Sequence, residues 1–470
     1  MRARARLKTF GGRPRRAFVL IGTLIVIMLA SMIAISLMFQ MRVEEKSTAA
    51  GIGSEQAWAA AMGGVRKAMR AIATNGLAGI NLRDDPGFFR SQLVFDDGSE
   101  QWRFSVYSTS DDLEAPVLHG LSDEAGKLNV NHVTEAALER FPGLEPLLSH
   151  ALLDFIDKDG EPHPEGAEQA YYDTLTLPYQ IHNGPLATVD ELLLVRGFTK
   201  AVLYGEDANL NRLLDANEDD GDLRFPPDDE DGALNPGLYP FLTVSSYEPN
   251  RTLDGRPRVS INDASASLPT NGLPEGVLTF VAALRRNKTP LAHPAALLEG
   301  SRTMPDESGR DTEYLAGVGE EELPAVLDLL SSTNATELFG LINVNTASAT
   351  VLQTVPGIDE SLAEALVSAR SSVSEEDRRT TAWLFTESLV DAEEFKEIAP
   401  FLTARGFQYH FRVVGYGVVS RQHRILEVII DAADGTPKTI YLRDVTRLGL
   451  PFPLDNPDET GLELAGEATL

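Results

Sequence analysis

The sequence predicts an α+β fold: a long N-terminal helix, an antiparallel sheet, and a large helical domain inserted between the strands of that sheet. Three observations predict it. Phe18–Phe39 is apolar and carries no charge, directly after a block of Arg and Lys. Short aromatic and β-branched runs lie near residues 92–119 and return only at 407–448. Between them lies an internal repeat, in which the motif at Gly126–Asn131 recurs at Gly340–Asn345.

A helix rises about 1.5 Å per residue, so about 20 apolar residues cross the hydrocarbon core. Residues 18–39 are long enough for a single span. Residues 1–17 carry seven positive charges (Arg2, Arg4, Arg6, Lys8, Arg13, Arg15, Arg16) and no acid. The positive-inside rule puts that end in the cytoplasm and the rest of the chain across the membrane. A secretory signal peptide has a shorter apolar region and a small-x-small cleavage site, and neither is found here. Ala-rich helix formers such as AWAAAM extend the helix over 40–80, and Gly51, Gly53, Gly63 and Gly64 weaken it.

At 470 residues the chain has room for two or three domains of roughly 150 residues each. Its 43% hydrophobic and 24% charged residues are a globular mixture. The net charge of −29 repels phosphate backbones and anionic lipid and suits divalent cations or basic partners. The absence of Cys excludes disulfides, thiolate-bound zinc and thiol catalysis. No Walker loop, HExxH, Gly-x-Ser-x-Gly or strand-linked Gly-x-Gly-x-x-Gly occurs, so the chain is read as a non-enzyme. The eight His are scattered, and Trp58, Trp102 and Trp383 read as packing residues.

SQLVFDD, EQWRFSVYS and APVLHG are strand-like and bounded by Asp, Gly and Ser. FQYHFRVVGYGVV (407–419), RILEVIIDA (424–432) and TIYLRDVTRL (439–448) read as successive antiparallel strands, with ADGT as a turn. Segments 81–120 and 405–450 therefore form one α/β head, with 121–404 inserted. The acidic tail 451–470 is poor in β-branched residues and reads as loose.

Within the insertion, Gly126-Lys-Leu-Asn-Val-Asn131 matches Gly340-Leu-Ile-Asn-Val-Asn345, and Pro142-Gly143 matches Pro356-Gly357. Each copy, 126–154 and 340–370, reads as a strand-like start, a short helix, a Pro-Gly hairpin and a helix. That pattern resembles helix-hairpin-helix modules. A partial copy occurs at Val259–Ser265, and VDELLLVRGF (189–198) reads as a helix closed by a Gly C-cap. DNA-binding hairpins hold phosphate on backbone amides beside Lys or Arg. Here Glu145, Asp359 and Glu360 flank the turns and oppose phosphate, so the modules read as structural. The alternative is a membrane-anchored DNA-binding protein of the competence type.

The segment 205–232 is dense in acids. Asp207, Asn209, Asn211, Asp215 and Glu218 stand at positions 1, 3, 5, 9 and 12 of a calcium loop, with the Leu213 carbonyl at position 7. Arg212 occupies position 6, where Gly usually makes the turn. Asn217, Asp219 and Asp220, with Asp215, are a candidate second calcium set, and Asp228, Asp229 and Asp231 a third. Asp154, Asp157 and Asp159 read as turn and cap residues rather than a metal site.

Arg15-Arg16-Ala17-Phe18 resembles the leader of type IV prepilins and pseudopilins. SDEAGKLNVN (122–131), LLDFIDKDGEPHPEGAEQAYY (152–172), LPYQIHNGPLATVDELLLVRGF (177–198), YPFLTVSS (239–246) and LINVNTAS (341–348) together resemble the protein K family of type II secretion. The resemblance implies cleavage between Ala17 and Phe18 by prepilin peptidase, with methylation of the new N-terminus. It implies a pseudopilin head carrying an inserted helical domain, held in the inner membrane by one span. It also implies a place at the pseudopilus tip beside the I- and J-type minor pseudopilins, on the inner-membrane secretion platform. Ala17 departs from the usual Gly before the cut. Gly22 departs from the usual Glu at the fifth mature position, a departure typical of protein K. A carboxylate in lipid needs a partner; a subunit with none above it has no use for one.

Overall fold

The computed structural model describes residues 15–74, 81–110, 117–221 and 223–454, without the side chains of residues 15–18. Residues 1–14 of the 1–17 leader and residues 455–470 of the 451–470 tail lie outside the described residues.

Helix α1 runs unbroken over Arg15–Ala73. Its first half is apolar on every side, and Val19–Phe39 is exposed throughout. A helix hydrophobic all round is built for lipid or a protein core. Its second half is amphipathic: Ala57, Ala60, Ala61, Val65, Ala68, Ala71 and Ile72 are buried at helical spacing.

That stripe packs on an antiparallel sheet. Strands β1 (Gln92–Asp96), β2 (Gln101–Thr109), β5 (Gln408–Gly417), β6 (His423–Asp431) and β7 (Lys438–Asp444) lie side by side in that order. Two short strands, β3 (Val117–Leu118) and β4 (Ser122–Asp123), pair with β2 and β5. The β2–β5 pairing, Arg412 opposite Tyr107 through Gly417 opposite Trp102, joins the two ends of the body. Alternation along the strands separates two faces. Phe104, Val106, Phe411, Val413, Leu426, Val428 and Ile430 meet α1. Tyr107, Val414, Tyr416, Val418 and Ile425 form the opposite layer. Gly64 lies where a Cβ would stand 2.6 Å from Val413 Cγ1, so this glycine sets how closely the helix approaches.

The tail expectation is corrected at its start. Phe452 and Leu454 pack on that second layer beside Leu450, with the Phe452 ring edge-on to Tyr107 at 5.2 Å. These apolar residues cover sheet surface that is otherwise open to water.

The inserted domain has its own hydrophobic core, from Leu128 to Leu402. Its short helices include α2 (Glu135–Glu139), α3 (Pro146–Ile156), α4 (Gln169–Tyr172), α5 (Lys200–Tyr204), α6 (Glu275–Arg286), α7 (Ala349–Leu352), α8 (Glu360–Ala369) and α9 (Ala392–Ile398). It also carries a hairpin, Ser301–Pro305 against Asp311–Leu315, that the sequence reading did not foresee.

Candidate metal loop and repeated modules

The two repeats fold alike. Leu128–Asn129 pairs in parallel with Leu242–Thr243, and Ile342–Asn343 with Leu402–Thr403. In each hairpin the residue after Gly donates to the residue before Pro: Leu144 to Phe141 at 3.2 Å, Ile358 to Val355 at 3.1 Å. Gly143 and Gly357 hold φ of 79° and 90°, a region L side chains avoid. The partial copy closes the same way, with Val259–Ser260 parallel to Leu330–Ser331. Residues 189–198 correct the helix reading: Val189–Leu194 is a 3-10 turn, and Gly197, φ 86°, makes a third hairpin in which Phe198 donates to Val195. The helix starts that follow the hairpins are already partly provided for. The Asp359 carboxylate already accepts the Leu362 N–H at the start of α8, and Pro146 removes a donor at the start of α3.

The acidic segment folds into a closed loop. Asp207 is buried, and its two oxygens accept the N–H groups of Asn211 and Arg212, each at 3.0 Å. Glu218, equally buried, accepts Ala208 N–H at 2.9 Å and Asp215 N–H at 3.0 Å. Positions 1 and 12 are thus fastened to positions 2, 5, 6 and 9. Arg212 takes φ of 64°, so position 6 makes the turn that Gly usually makes. Asn209 and Asn211 both donate to Asp215 Oδ2, at 2.7 and 3.1 Å. Burial raises the carboxyl pKa of Asp207 and of Glu218. The marked side-chain oxygens of Asp207, Asn209, Asn211 and Glu218 thus all accept backbone N–H groups of the loop. Asp207, Asp215 and Glu218 do not close to within 4.8 Å as a trio; the Asn amides stand between them.

The second and third sets are spent on loop backbone. Asp219 accepts Gly232 N–H, and Asp220 accepts Arg224 N–H. The Asn217 amide nitrogen donates to Phe225 O, at 3.5 Å. Asp228 accepts from Asp220, Gly221 and Glu230, Asp229 from Asp231, and Asp231 from Ala233.

Residues 126–204 match the family model described as type II secretion system (T2SS), protein K. The chain carries the protein K domain of type II secretion. That domain begins at the first repeat and ends with α5, immediately before the acidic loop. Residues 339–403 match the helix-hairpin-helix motif model, which is the second repeat with its closing strand. A crystal structure titled the GspK-GspI-GspJ complex from the enterotoxigenic Escherichia coli Type 2 Secretion System aligns at a TM-score of 0.37 and 12% identity. The alignment covers 86% of this chain and 99% of that one. No curated protein matches.

Within and beyond the protein K domain, sequence reasoning missed how each module is closed. The signal was present: PFLT occurs at 240–243 and again at 400–403. The backbones of Ala17 and Phe18 are helical, and the basic residues before Arg15 lie outside the described residues.

Proposed function

We propose that the chain is a minor pseudopilin of the type II secretion apparatus, seated at the pseudopilus tip, where it starts or caps assembly. The observation that carries this is the union of two parts in one chain. The α1 helix is naked and apolar in its first half and packed on an antiparallel sheet in its second, and the sheet bears a protein K domain. The apolar half holds the subunit in the inner membrane, with the leader cytoplasmic and the body periplasmic, until it enters the fibre. Gly22 has nothing within 4 Å and offers no carboxylate to a subunit above. The bulk of the inserted domain blocks further stacking on that side. I- and J-type minor pseudopilins are the neighbours this reading requires, and prepilin peptidase is the processing enzyme. Calcium in the 207–218 loop belongs to the same reading, as a structural ion.

Intact-mass analysis of the protein from its membrane tests the anchor. The expected N-terminus is Phe18, methylated. An intact Met1 overturns it. Deleting the gene is expected to abolish export of the secreted proteins, and export at wild-type level refutes the assembly role.

A further inference from the structure

One Asn in each module offers an acceptor oxygen beside its amide nitrogen. Asn131 Oδ1 accepts the Leu186 N–H at 2.7 Å, and Asn262 Oδ1 accepts the Leu291 N–H at 2.9 Å. Both donors stand in a Pro-Leu-Ala segment, 185–187 and 290–292. The second repeat lacks that donor. Asn345 Oδ1 is buried and has no partner. Arg378, whose carbonyl takes the Asn345 amide at 2.8 Å, gives its own N–H to Ser374 O at 3.1 Å instead. A buried acceptor without a donor is costly.

Asn345 lines a cleft of about 390 Å³ between the head and the second repeat, with Arg83 and Ser110 on the head side and Thr346 and Ser348 on the other. Cations gather here. Arg370, the residue after α8, is 9% exposed and grips the loop that carries Asn345, donating to Val344 O at 2.7 Å and Ala347 O at 2.5 Å. Arg378 Nε is buried without an acceptor. Burial first, and then the charges of Arg83 and Arg378, lower the Arg370 pKa to about 10. Among the described residues, none of these three guanidiniums has an acid within ion-pair distance. The acids around them are committed or turned to water. Asp84 accepts the His119 N–H, Asp377 accepts the Ser374 hydroxyl, and Glu375 and Glu376 are exposed. Asp123, in the cleft wall, is held by Asn343, Thr346 and the Ala125 N–H. Three neighbouring arginines without a counter-ion, in a chain of net charge −29, make a local seat for carboxylates.

The cleft thus lacks two things: carboxylates for its guanidiniums and a backbone N–H for Asn345 Oδ1. An extended acidic peptide supplies both. Residues 455–470, outside the described residues, carry five acids (Asp455, Asp458, Glu459, Glu463, Glu467) and no base. They follow directly on Leu454, which packs on the head. The Phe452 ring lies 5.5 Å from that of His119, whose N–H is tied to Asp84, the neighbour of Arg83. Sixteen residues span about 50 Å when extended. The ten-residue β5, the longest strand of the head, spans about 33 Å.

We propose that residues 455–470 of this chain dock in the cleft on Arg83, Arg370 and Arg378, and give a backbone N–H to Asn345 Oδ1. The segment then clasps the head to the second repeat.

The chain has no Cys, so a labelling pair can be introduced without background. Ala465→Cys and the exposed Ser371→Cys, spin-labelled in the full chain in detergent, report the distance from the segment to the end of α8. A narrow, short-distance population is expected. Arg83→Gln is expected to reduce it about tenfold relative to the undocked population, the size of one lost charge-assisted bond. Arg83→Gln with Arg378→Gln is expected to abolish it. So is the joint change Asp455→Asn, Asp458→Asn, Glu459→Gln, Glu463→Gln and Glu467→Gln, which leaves the folded body untouched and separates lost docking from misfolding. A broad distribution in wild type, or a narrow one that survives both sets of substitutions, overturns the proposal. Broad wild-type distances together with Arg83-dependent binding of an added oligoglutamate peptide give the cleft to an acidic segment of a partner, and likewise overturn residues 455–470 as its occupant.

Discussion

Asn131 and Asn345, which hold equivalent positions in the two repeats, make the same pair of bonds. The Asn131 amide nitrogen donates to the carbonyls of Leu186 and Val244, at 2.9 and 3.5 Å. That of Asn345 donates to Arg378 and Ala404, both at 2.8 Å. Asn262 does the same in the partial copy, to Leu291 and Ser332, both at 2.9 Å. In every module the amide bridges the carbonyl just past the closing strand to a distant loop. Asn345→Ala strands two carbonyls, and an unmet buried polar group costs about 1–3 kcal/mol. A lower denaturation midpoint is expected, against no more than about 0.5 kcal/mol for the exposed Asn271→Ala. Equal midpoints for the two variants defeat the idea that this bridge holds the module.

The seat of α1 on the sheet gives a second prediction. A Cβ at Gly415 would stand 2.2 Å from the Ala57 carbonyl oxygen and 2.3 Å from the Ala61 nitrogen. Both are backbone atoms of a helix and cannot step aside as a side chain can. Gly415→Ala forces the helix off β5, and overpacking of this kind costs about 1–3 kcal/mol. Limited proteolysis is expected to cut residues 50–74 faster in the variant. Unchanged cleavage means that the helix has room that the geometry denies.

The head was legible because its signals are local. Alternation in 407–448 and the uncharged run 18–39 declare period and length directly. The repeat was legible as a repeat, but its mechanics were not. The Asn131 and Asn345 bonds reach far along the chain, to Leu186 and Arg378, and no window of sequence pairs those positions. The 189–198 segment misled because LLLV suits an α-helix, whereas the chain tightens to 3-10 ahead of the hairpin at Gly197. At Asp154 the reading of caps and turns was sound for Asp157 and Asp159, whose oxygens do accept the Asp159 and Glu161 amides. It could not show that Asp154 Oδ2 is sealed in without a donor.

On the proposed calcium reading of the 207–218 loop, calcium and pH act on the same groups. Burial lifts the folded-state pKa of Asp207 and Glu218 above their ordinary values of 3.8 and 4.5. The folded protein then holds protons that the unfolded chain has released. Without metal, stability falls as pH rises from the ordinary carboxylate range up through the raised values. A bound cation replaces those protons and removes the penalty. The expected result is a Tm that drops across that window in chelator and stays level in millimolar calcium. In Glu218→Gln the calcium effect shrinks. A calcium effect of the same size in wild type and Glu218→Gln rules out the loop as its source.

A buried ion pair links the sheet to that loop. Arg412 and Glu427, 6% and 2% exposed, face each other across β5 and β6 at 3.1 Å, with His410 at 3.3 Å from the same carboxylate. Arg412 also donates to the Leu210 carbonyl in the loop, at 2.7 Å. Burial pushes the Glu427 pKa up, but hydrogen bonds and charge from His410 and Arg412 outweigh it and hold the group well below the usual carboxylate range. The sign is opposite to that of the loop acids: this stability is present above the unfolded pKa and is lost as pH falls through the folded value. Arg412→Met leaves the carboxylate buried with His410 alone, and breaking such a pair costs about 3–5 kcal/mol. Arg412→Met with Glu427→Leu removes the orphan charge and is expected to recover most of that loss. The Leu210 tie stays broken in both variants. Calcium affinity of the loop is therefore expected to remain weakened after stability has returned, and calorimetry on the double variant reads the two effects apart. Wild-type calcium affinity in the double variant means that the sheet does not support the loop.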